Sequence, residues 1–163
     1  MKMFRWLKLM FFNPKTLQEL IQECRTPKDI TTWTDNHIWY NTDMKNHNVK
    51  EYWQTAEETF KSRTGDCEDF AVLQYMVLKQ CGYDPHIFAV FSKSRGGHGV
   101  CGVFDNSNDK WVHLSNWGYK TTKAKTLAEV PTYVYDDWTH WMECNPTGKP
   151  IRFDGIKFIH YRT

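Results

Sequence analysis

No C-x-x-C pair occurs in this chain, and its five cysteines, at positions 24, 67, 81, 101 and 144, are odd in number. That usage indicates neither a disulfide framework nor a zinc site, and free thiols fit a reducing, cytoplasmic compartment. No apolar run approaches the roughly 20 residues needed to span a bilayer. Net charge is also small, with 21 lysines and arginines against 19 aspartates and glutamates, so there is no electrostatic case for a nucleic-acid partner. Internal repeats and low-complexity segments are absent, which excludes a repeat array. A convincing leader is missing too. The segment MKMFRWLKLMFFNPK starts like a signal peptide, but its apolar core is short, broken by Lys8 and followed by Asn13-Pro14 rather than small residues. The expectation is an N-terminal arm packed on the domain. The alternative is a membrane-surface face made of Phe4, Trp6, Leu7, Phe11 and Phe12.

What is present is enough for one domain with a single buried core. The chain has 163 residues, 40% of them hydrophobic and 25% charged, which excludes a disordered polymer. Aromatics reach 16%, including eight tryptophans, and core packing is the preferred use for them over an aromatic-walled groove.

The first half reads as helical. Leu17, Leu20 and Ile21 give residues 16–24 the spacing of a short amphipathic helix. Thr26 is a candidate N-cap with Pro27 in the first turn, and the helix that follows buries Ile30, Trp33 and Ile38 before fading into the polar stretch 41–50. Residues 51–60 form a further short helix, and residues 61–65 a loop. The next helix starts near Asp66 and runs to Cys81, with Gly82 as its stop and Phe70, Leu73 and Val77 on one face, extended by Ala71 and Met76.

Cys67 falls in the first turn of that helix, inside Gly65-Asp66-Cys67-Glu68-Asp69-Phe70-Ala71. A cysteine at a helix start ringed by carboxylates is a poor choice for a plain core position. The helix dipole and free N–H groups there favour a thiolate, and a thiol near pKa ~8.5 falls to about 3.5–7.5 in such a setting with a cationic partner. Glu68 and Asp69 oppose that fall, so a histidine must supply much of it. His98, in Gly96-Gly97-His98-Gly99-Val100, opens an apolar alternation and is the candidate.

After Gly82 the pattern changes to period two. Residues 86–91, 98–104 and 111–114 read as strands, and the turn formers of residues 105–109 join the last two into a hairpin. Asp105 and Asp109 are read as turn chemistry. A final strand pair is expected over residues 151–161, around Asp154-Gly155. The aromatic stretch from Tyr133 through Trp141 is read as a cap on the sheet, with a substrate-groove wall as the alternative. Cys81 and Cys101 lie in apolar patterns and are assigned to the core. Helices first and antiparallel strands later make the fold class α+β.

The order Tyr52-Trp53-Gln54, Glu57-Glu58, then GDCEDFA on a helix, then Gly-His before a hairpin, resembles the transglutaminase-like cysteine proteinase superfamily. It is most similar to the bacterial transglutaminase-like proteinases, and residues 38–53 share that likeness. The resemblance covers roughly residues 28–117. It implies a papain-like fold, with the cysteine helix packed on an antiparallel sheet that carries the histidine. Within a single domain of residues 1–163, it frames an arm and helix over 1–25, a catalytic core over 28–117, and an extension over 118–163 that completes the sheet.

By this resemblance Cys67 is the nucleophile and His98 the general base and acid. The family pattern then places an aspartate on the second hairpin strand, where this chain has Leu114-Ser115-Asn116. If the turn is centred between Ser107 and Asn108, paired positions sum to about 215, which puts Ser115 on the face of His98 and Asn116 on the other. A one-residue bulge reverses the two, so both stay candidates for orienting the imidazole. The backbone N–H of Cys67 is one oxyanion donor, and by resemblance Gln54 or Trp53 supplies the second. Asp66 and Glu68 stand where some resembling proteinases hold calcium. Helix capping explains them equally well, so no metal is required and calcium is a secondary reading. A further reading pairs Asp69 with a nearby arginine or lysine.

The implied activity is thiol-dependent acyl transfer by a cysteine peptidase or amidase on protein or peptide amides. Two alternatives are kept. One is a transglutaminase-like binding protein weakened by the missing aspartate; the other is a protein-glutamine transglutaminase or deamidase. Substrate identity and oligomeric state are not encoded.

Overall fold

Five of the helices and both clusters of strands fall where local sequence chemistry favours them. The structure, a computed structural model, describes residues 2–152. It runs α1 (Lys2–Phe11), α2 (Leu17–Glu23), α3 (Pro27–His37), β1 (Trp39–Tyr40), α4 (Asp43–His47), α5 (Ala56–Ser62), β2 (Thr64–Gly65) and α6 (Cys67–Gln80). The strands β3 (His86–Ser92), β4 (Gly96–Asp105), β5 (Lys110–Ser115) and β6 (Gly118–Thr121) follow. A 3-10 segment (Leu127–Tyr133), β7 (Trp138–Cys144) and β8 (Pro150–Arg152) complete the described residues.

Caps decide where the helices start. Thr16 accepts from the Glu19 N–H, and Thr26 forms a reciprocal capping box with Asp29. Thr55 does the same with Glu58, so α5 begins at Ala56 and not at Glu51. Residues 51–54 run without helix as a result, and Glu51, Tyr52 and Trp53 become a wall of the site described below. The polar stretch 41–50 holds a short helix, α4, which no apolar periodicity announces. Trp39–Tyr40 pairs in parallel with Thr64–Gly65, so part of the expected loop 61–65 is a two-residue strand. Both features arise from tertiary pairing, which no local pattern encodes.

Six strands form one antiparallel sheet in the order β6-β5-β4-β3-β7-β8. The hairpin pairs Cys101 with Leu114 and Gly102 with His113, the register that the unbulged turn predicts. The residues from Tyr133 to Trp141 divide between the 3-10 segment and β7, which pairs with β3, so this stretch includes a strand of the sheet as well as a covering layer. The expected turn at Asp154-Gly155 lies outside the described residues.

α6 packs on one face of the sheet. Leu73, Val77 and Leu78 meet Ile87, Cys101, Val103, Val112 and Leu114 in the main core, with Trp33 and Phe60 closing it from α3 and α5. A smaller cluster of Phe88, Val90, Val100, Tyr135 and Trp141 covers the opposite face. The architecture is α+β, with a helix laid on an antiparallel sheet. Cys101 is buried in the core and Cys81 partly so, its thiol donating to the Cys24 carbonyl at 3.2 Å. Among the described residues no helix is long and apolar enough to cross a membrane.

The tightest contact between helix and sheet is at Gly99. A Cβ on Gly99 would sit 2.9 Å from the Cα of Glu68 and 3.0 Å from its nitrogen. The obstacle is helix backbone, which cannot turn aside as a flexible side chain does. Gly99→Ala therefore forces α6 and β4 apart, and a loss of about 1–3 kcal/mol is expected in urea unfolding, the scale of an overpacked core. A loss below about 0.5 kcal/mol would contradict this contact.

Candidate active site

The start of α6 is held down by a buried carboxylate. Asp69 accepts hydrogen bonds from the Gln54 backbone N–H at 2.8 Å, the Gln54 side-chain amide at 2.7 Å and the Asp66 N–H at 3.1 Å. These partners are amides; neither arginine nor lysine bonds to it among the described residues, which corrects the expected ion pair. Burial still prevails over the amides and lifts the Asp69 carboxyl to about 6. Gly65 is needed beside it, because a Cβ there would fall 2.6 Å from the Asp69 Cβ.

Cys67 then opens the helix at the edge of a cleft of about 790 Å³. Trp53, Glu51 and Tyr52 form one wall, Gly97, His98 and Gly99 of β4 another, and Phe91, Met142 and the turn at Pro146 close the far side. Cys67, His98 and Trp53 thus line one cleft. Gln54 does not. Its amide is spent on Asp69 and on the Thr64 carbonyl, so it is unavailable as the second oxyanion donor. Trp53 lines the cleft, but its indole N–H donates to Glu51 at 3.0 Å.

The sulfur meets carboxylate instead of imidazole. Cys67 Sγ donates to Glu68 Oε2 at 3.1 Å. Burial, followed by the Glu68 charge, pushes the thiol well above its ordinary range; a hydrogen bond from the Gly99 backbone N–H pulls the other way. The sequence expectation of a thiolate favoured by the helix start is thus reversed in this arrangement, because desolvation and two flanking acids outweigh the dipole.

His98 is 5% exposed, and its Nε2 has no hydrogen-bond partner among the described residues. Burial, then the nearby His113, lowers it to about 4, so the imidazole is neutral at pH 7. Its ring stacks on Trp117 with centroids 3.6 Å apart and an interplanar angle of 15°, while Tyr135 meets it edge-on at 6.1 Å.

The two candidates for a third member do different things. Ser115 is fully buried and its hydroxyl accepts from the Trp117 N–H at 3.0 Å. It secures the turn that lays the Trp117 indole on His98. Asn116 lines a separate pocket of about 330 Å³ with Asp35, Tyr40 and Trp117, and its Oδ1 has no partner among the described residues. Neither side chain hydrogen-bonds to His98 among those residues. Asp105 accepts from Ser107 and Tyr119, and Asp109 takes a left-handed turn conformation, both uses being structural.

Several site residues escaped the sequence reading. Burial, above all, pushes the phenols of Tyr40 and Tyr135 up, Tyr135 belonging to the aromatic stretch read as a cap or groove wall. Trp117 and His113 gave no signal apart from their place on the hairpin. Asp43 and Glu51 complete a cluster with Asp66 and Glu68. Ligand atoms of Asp43, Glu51 and Glu68 lie within 4.8 Å of one another, as do those of Asp66, Cys67 and Glu68. Burial, then their mutual contact, raises the Asp66 carboxyl, and burial raises that of Glu68. Asp43 Oδ1 and Asp66 Oδ1 are buried without partners among the described residues. Such orphaned oxygen donors fit a hard divalent cation.

Known proteins share this framework. A family described as a transglutaminase-like domain matches residues 15–112. UPF0252 protein PH1321 of Pyrococcus horikoshii is 32% identical over 82 residues, which cover 48% of this chain and 23% of that protein. The chain therefore spans about a quarter of the length of the curated relative it matches. The calcium-bound structure of Legionella pneumophila LapG superimposes with a TM-score of 0.57 at 17% identity, over 98% of this chain and 97% of that one. A second LapG structure gives 0.53 at 18% identity, over 75% of each chain. At these identities the likeness is one of fold.

The buried imidazole makes a pH-dependent prediction. Between pH 6.5 and about 4 an unfolded His98 takes up a proton and the folded one does not. Acidification through that window therefore costs the wild type stability that a His98→Gln variant does not lose, while above it the two track each other. Urea melts at pH 7 and pH 5 should show the variant gaining on the wild type by roughly 1 kcal/mol per pH unit. A difference that does not change with pH would contradict a neutral, buried imidazole.

Proposed function

The chain belongs to the transglutaminase-like domain family, and from that premise we infer that it is a thiol-dependent acyl-transfer enzyme, a cysteine peptidase or amidase acting on protein or peptide amides. The observation that carries this reading is one cleft lined by Cys67, at the first turn of α6, and by His98 of β4. The cleft is of the size that takes a ligand or a short peptide segment.

Both partners rest neutral here, so the reaction starts from a thiol and an imidazole, without a preformed ion pair. As Cys67 Sγ attacks the amide carbon, its proton passes to His98, which then gives it to the departing amine. Water attacks the resulting thioester with His98 again as base, releasing the acid and restoring the thiol. The Cys67 N–H at the helix start faces the developing oxyanion. Trp117 and Tyr135 fix the ring and exclude water, which compensates in part for an orienting carboxylate.

Calcium belongs to this reading. LapG has been solved with calcium bound, and Asp43, Glu51, Asp66 and Glu68 are the residues that would hold the ion here. A bound divalent cation would neutralise the carboxylates that now raise the Cys67 thiol. The protein's own contribution is to gather four acids beside the nucleophile.

One observation favours a second reading, that of a fold kept for binding: the thiol is bonded to Glu68, and among the described residues neither Ser115 nor Asn116 bonds to His98. Substitution separates the two. Cys67→Ala and His98→Gln should each abolish cleavage of a protein or peptide substrate while leaving the urea midpoint near wild type, for Cys67→Ala above all. Calorimetry should show calcium binding that Glu68→Gln or Asp66→Asn weakens at least tenfold. Cleavage that survives Cys67→Ala would overturn the enzyme assignment, and calcium affinity unchanged in both acid variants would overturn the cation site.

A further inference from the structure

α1 is anchored by one side and bare on the other. Leu9 is buried, and the helix lies along α3. Arg5 pairs with Asp29 at 3.1 Å and Lys8 with Glu23 at 2.7 Å, fixing the inner flank. Phe4, Leu7 and Phe11 fall at i, i+3 and i+7, a single stripe at 100° per residue, pointing away from that anchor. Phe4 is 75% exposed and Phe11 80%, with Leu7 between them and Trp6 on the flank also exposed. Two aromatic rings and an isobutyl group in a row, held in water by a helix fixed in place, are an unpartnered apolar ridge.

Along the helix's own stretch of chain the charge has one sign. Residues 1–18 contain Lys2, Arg5, Lys8 and Lys15 and no acid. Residues 1–29 hold six of the chain's 21 bases and only three of its 19 acids, so this end is positive while the remainder is slightly acidic. Arg5 and Lys8 keep about half of their side-chain surface in solvent despite their ion pairs. A convex ridge needs no matching groove if the surface it enters is fluid. Tryptophan beside phenylalanine and leucine, with bases along the margin, is the chemistry of a helix lying in the plane of a lipid interface.

We propose that α1 attaches the protein to an anionic lipid surface, with Phe4, Leu7 and Phe11 entering the acyl boundary and the flanking bases meeting acidic headgroups. Three inserted side chains give reversible attachment, and the headgroup contribution weakens as salt rises. The attachment is independent of the cleft chemistry and needs neither Cys67 nor calcium.

Vesicle sedimentation tests it with the whole chain. Wild-type protein should sediment with vesicles of phosphatidylglycerol mixed with phosphatidylcholine, and about tenfold more weakly with phosphatidylcholine alone or at high salt. The variant Phe4→Ser/Leu7→Ser/Phe11→Ser should lose about tenfold or more of the binding. The single variant Phe11→Asp, at the most exposed position, should lose part of it, with circular dichroism and urea midpoint matching wild type. Absence of sedimentation with either vesicle, equal binding to both, or unchanged binding by the variants would each overturn the proposal. A wild-type dimer in light scattering that the triple variant converts to monomer, without vesicle binding, would reassign the ridge to self-association.

Discussion

The carboxylate of Asp69 is the tie on which the rest of the site depends. Three amide hydrogen bonds converge on it, each worth about 1.5–3 kcal/mol for a charged acceptor; the two from Gln54 join the 51–55 segment to the first turn of α6, and the one from Asp66 closes the helix's own cap. Without that tie Trp53 and Glu51 have no fixed place in the cleft wall, and Cys67 has no rim opposite it. Gly65 yields space to the Asp69 side chain, just as Gly99 yields space to the Glu68 backbone. The turn that carries Cys67 is thereby clamped from two directions, by the preceding segment and by the sheet.

That clamp creates an electrostatic problem at the sulfur. Packing α6 so closely on β4 leaves Cys67 only half-exposed, and the acids that help start the helix stand beside the thiol. Burial likewise strips the proton from His98. A half-buried neutral thiol and a buried neutral imidazole are mutually consistent, since neither leaves a charge without a counterion. The same arrangement leaves three acids beside Cys67, Asp43, Asp66 and Glu68, with raised or unpartnered carboxyl groups, an arrangement that a divalent cation relieves.

Much of this was legible in the sequence, for identifiable reasons. Thr26 and Gly82 mark helix ends by local hydrogen bonding and backbone freedom, and period two over residues 98–104 and 111–114 gave the hairpin together with its register. GDCEDFA was legible as a unit because nearly every member has its own job: Gly65 makes room, Asp69 ties, Glu68 bonds the sulfur, and Phe70 and Ala71 enter the core. The failures are long-range. Gln54 looked like a donor, but only the fold reveals that Asp69 takes its amide. The pairing of Trp39–Tyr40 with Thr64–Gly65 joins residues about 25 apart and leaves no periodicity. Ser115 was weighed as an orienting group for His98, whereas its hydroxyl secures the turn that carries Trp117. The approach of Asp43 and Glu51 to Glu68 likewise exists only after folding.

The central claim is that Cys67 is the cleft's nucleophile and that Glu68 restrains its thiol. Its most direct test is the rate of alkylation at each of the five thiols, mapped by mass spectrometry at neutral pH in the presence of a chelator, for wild type and Glu68→Gln. The account predicts that Cys67 reacts several-fold faster in the variant, since both the acceptor of its proton and the neighbouring charge are weakened, while the rates at Cys24, Cys81, Cys101 and Cys144 stay unchanged. Equal or slower alkylation of Cys67 in Glu68→Gln would contradict it.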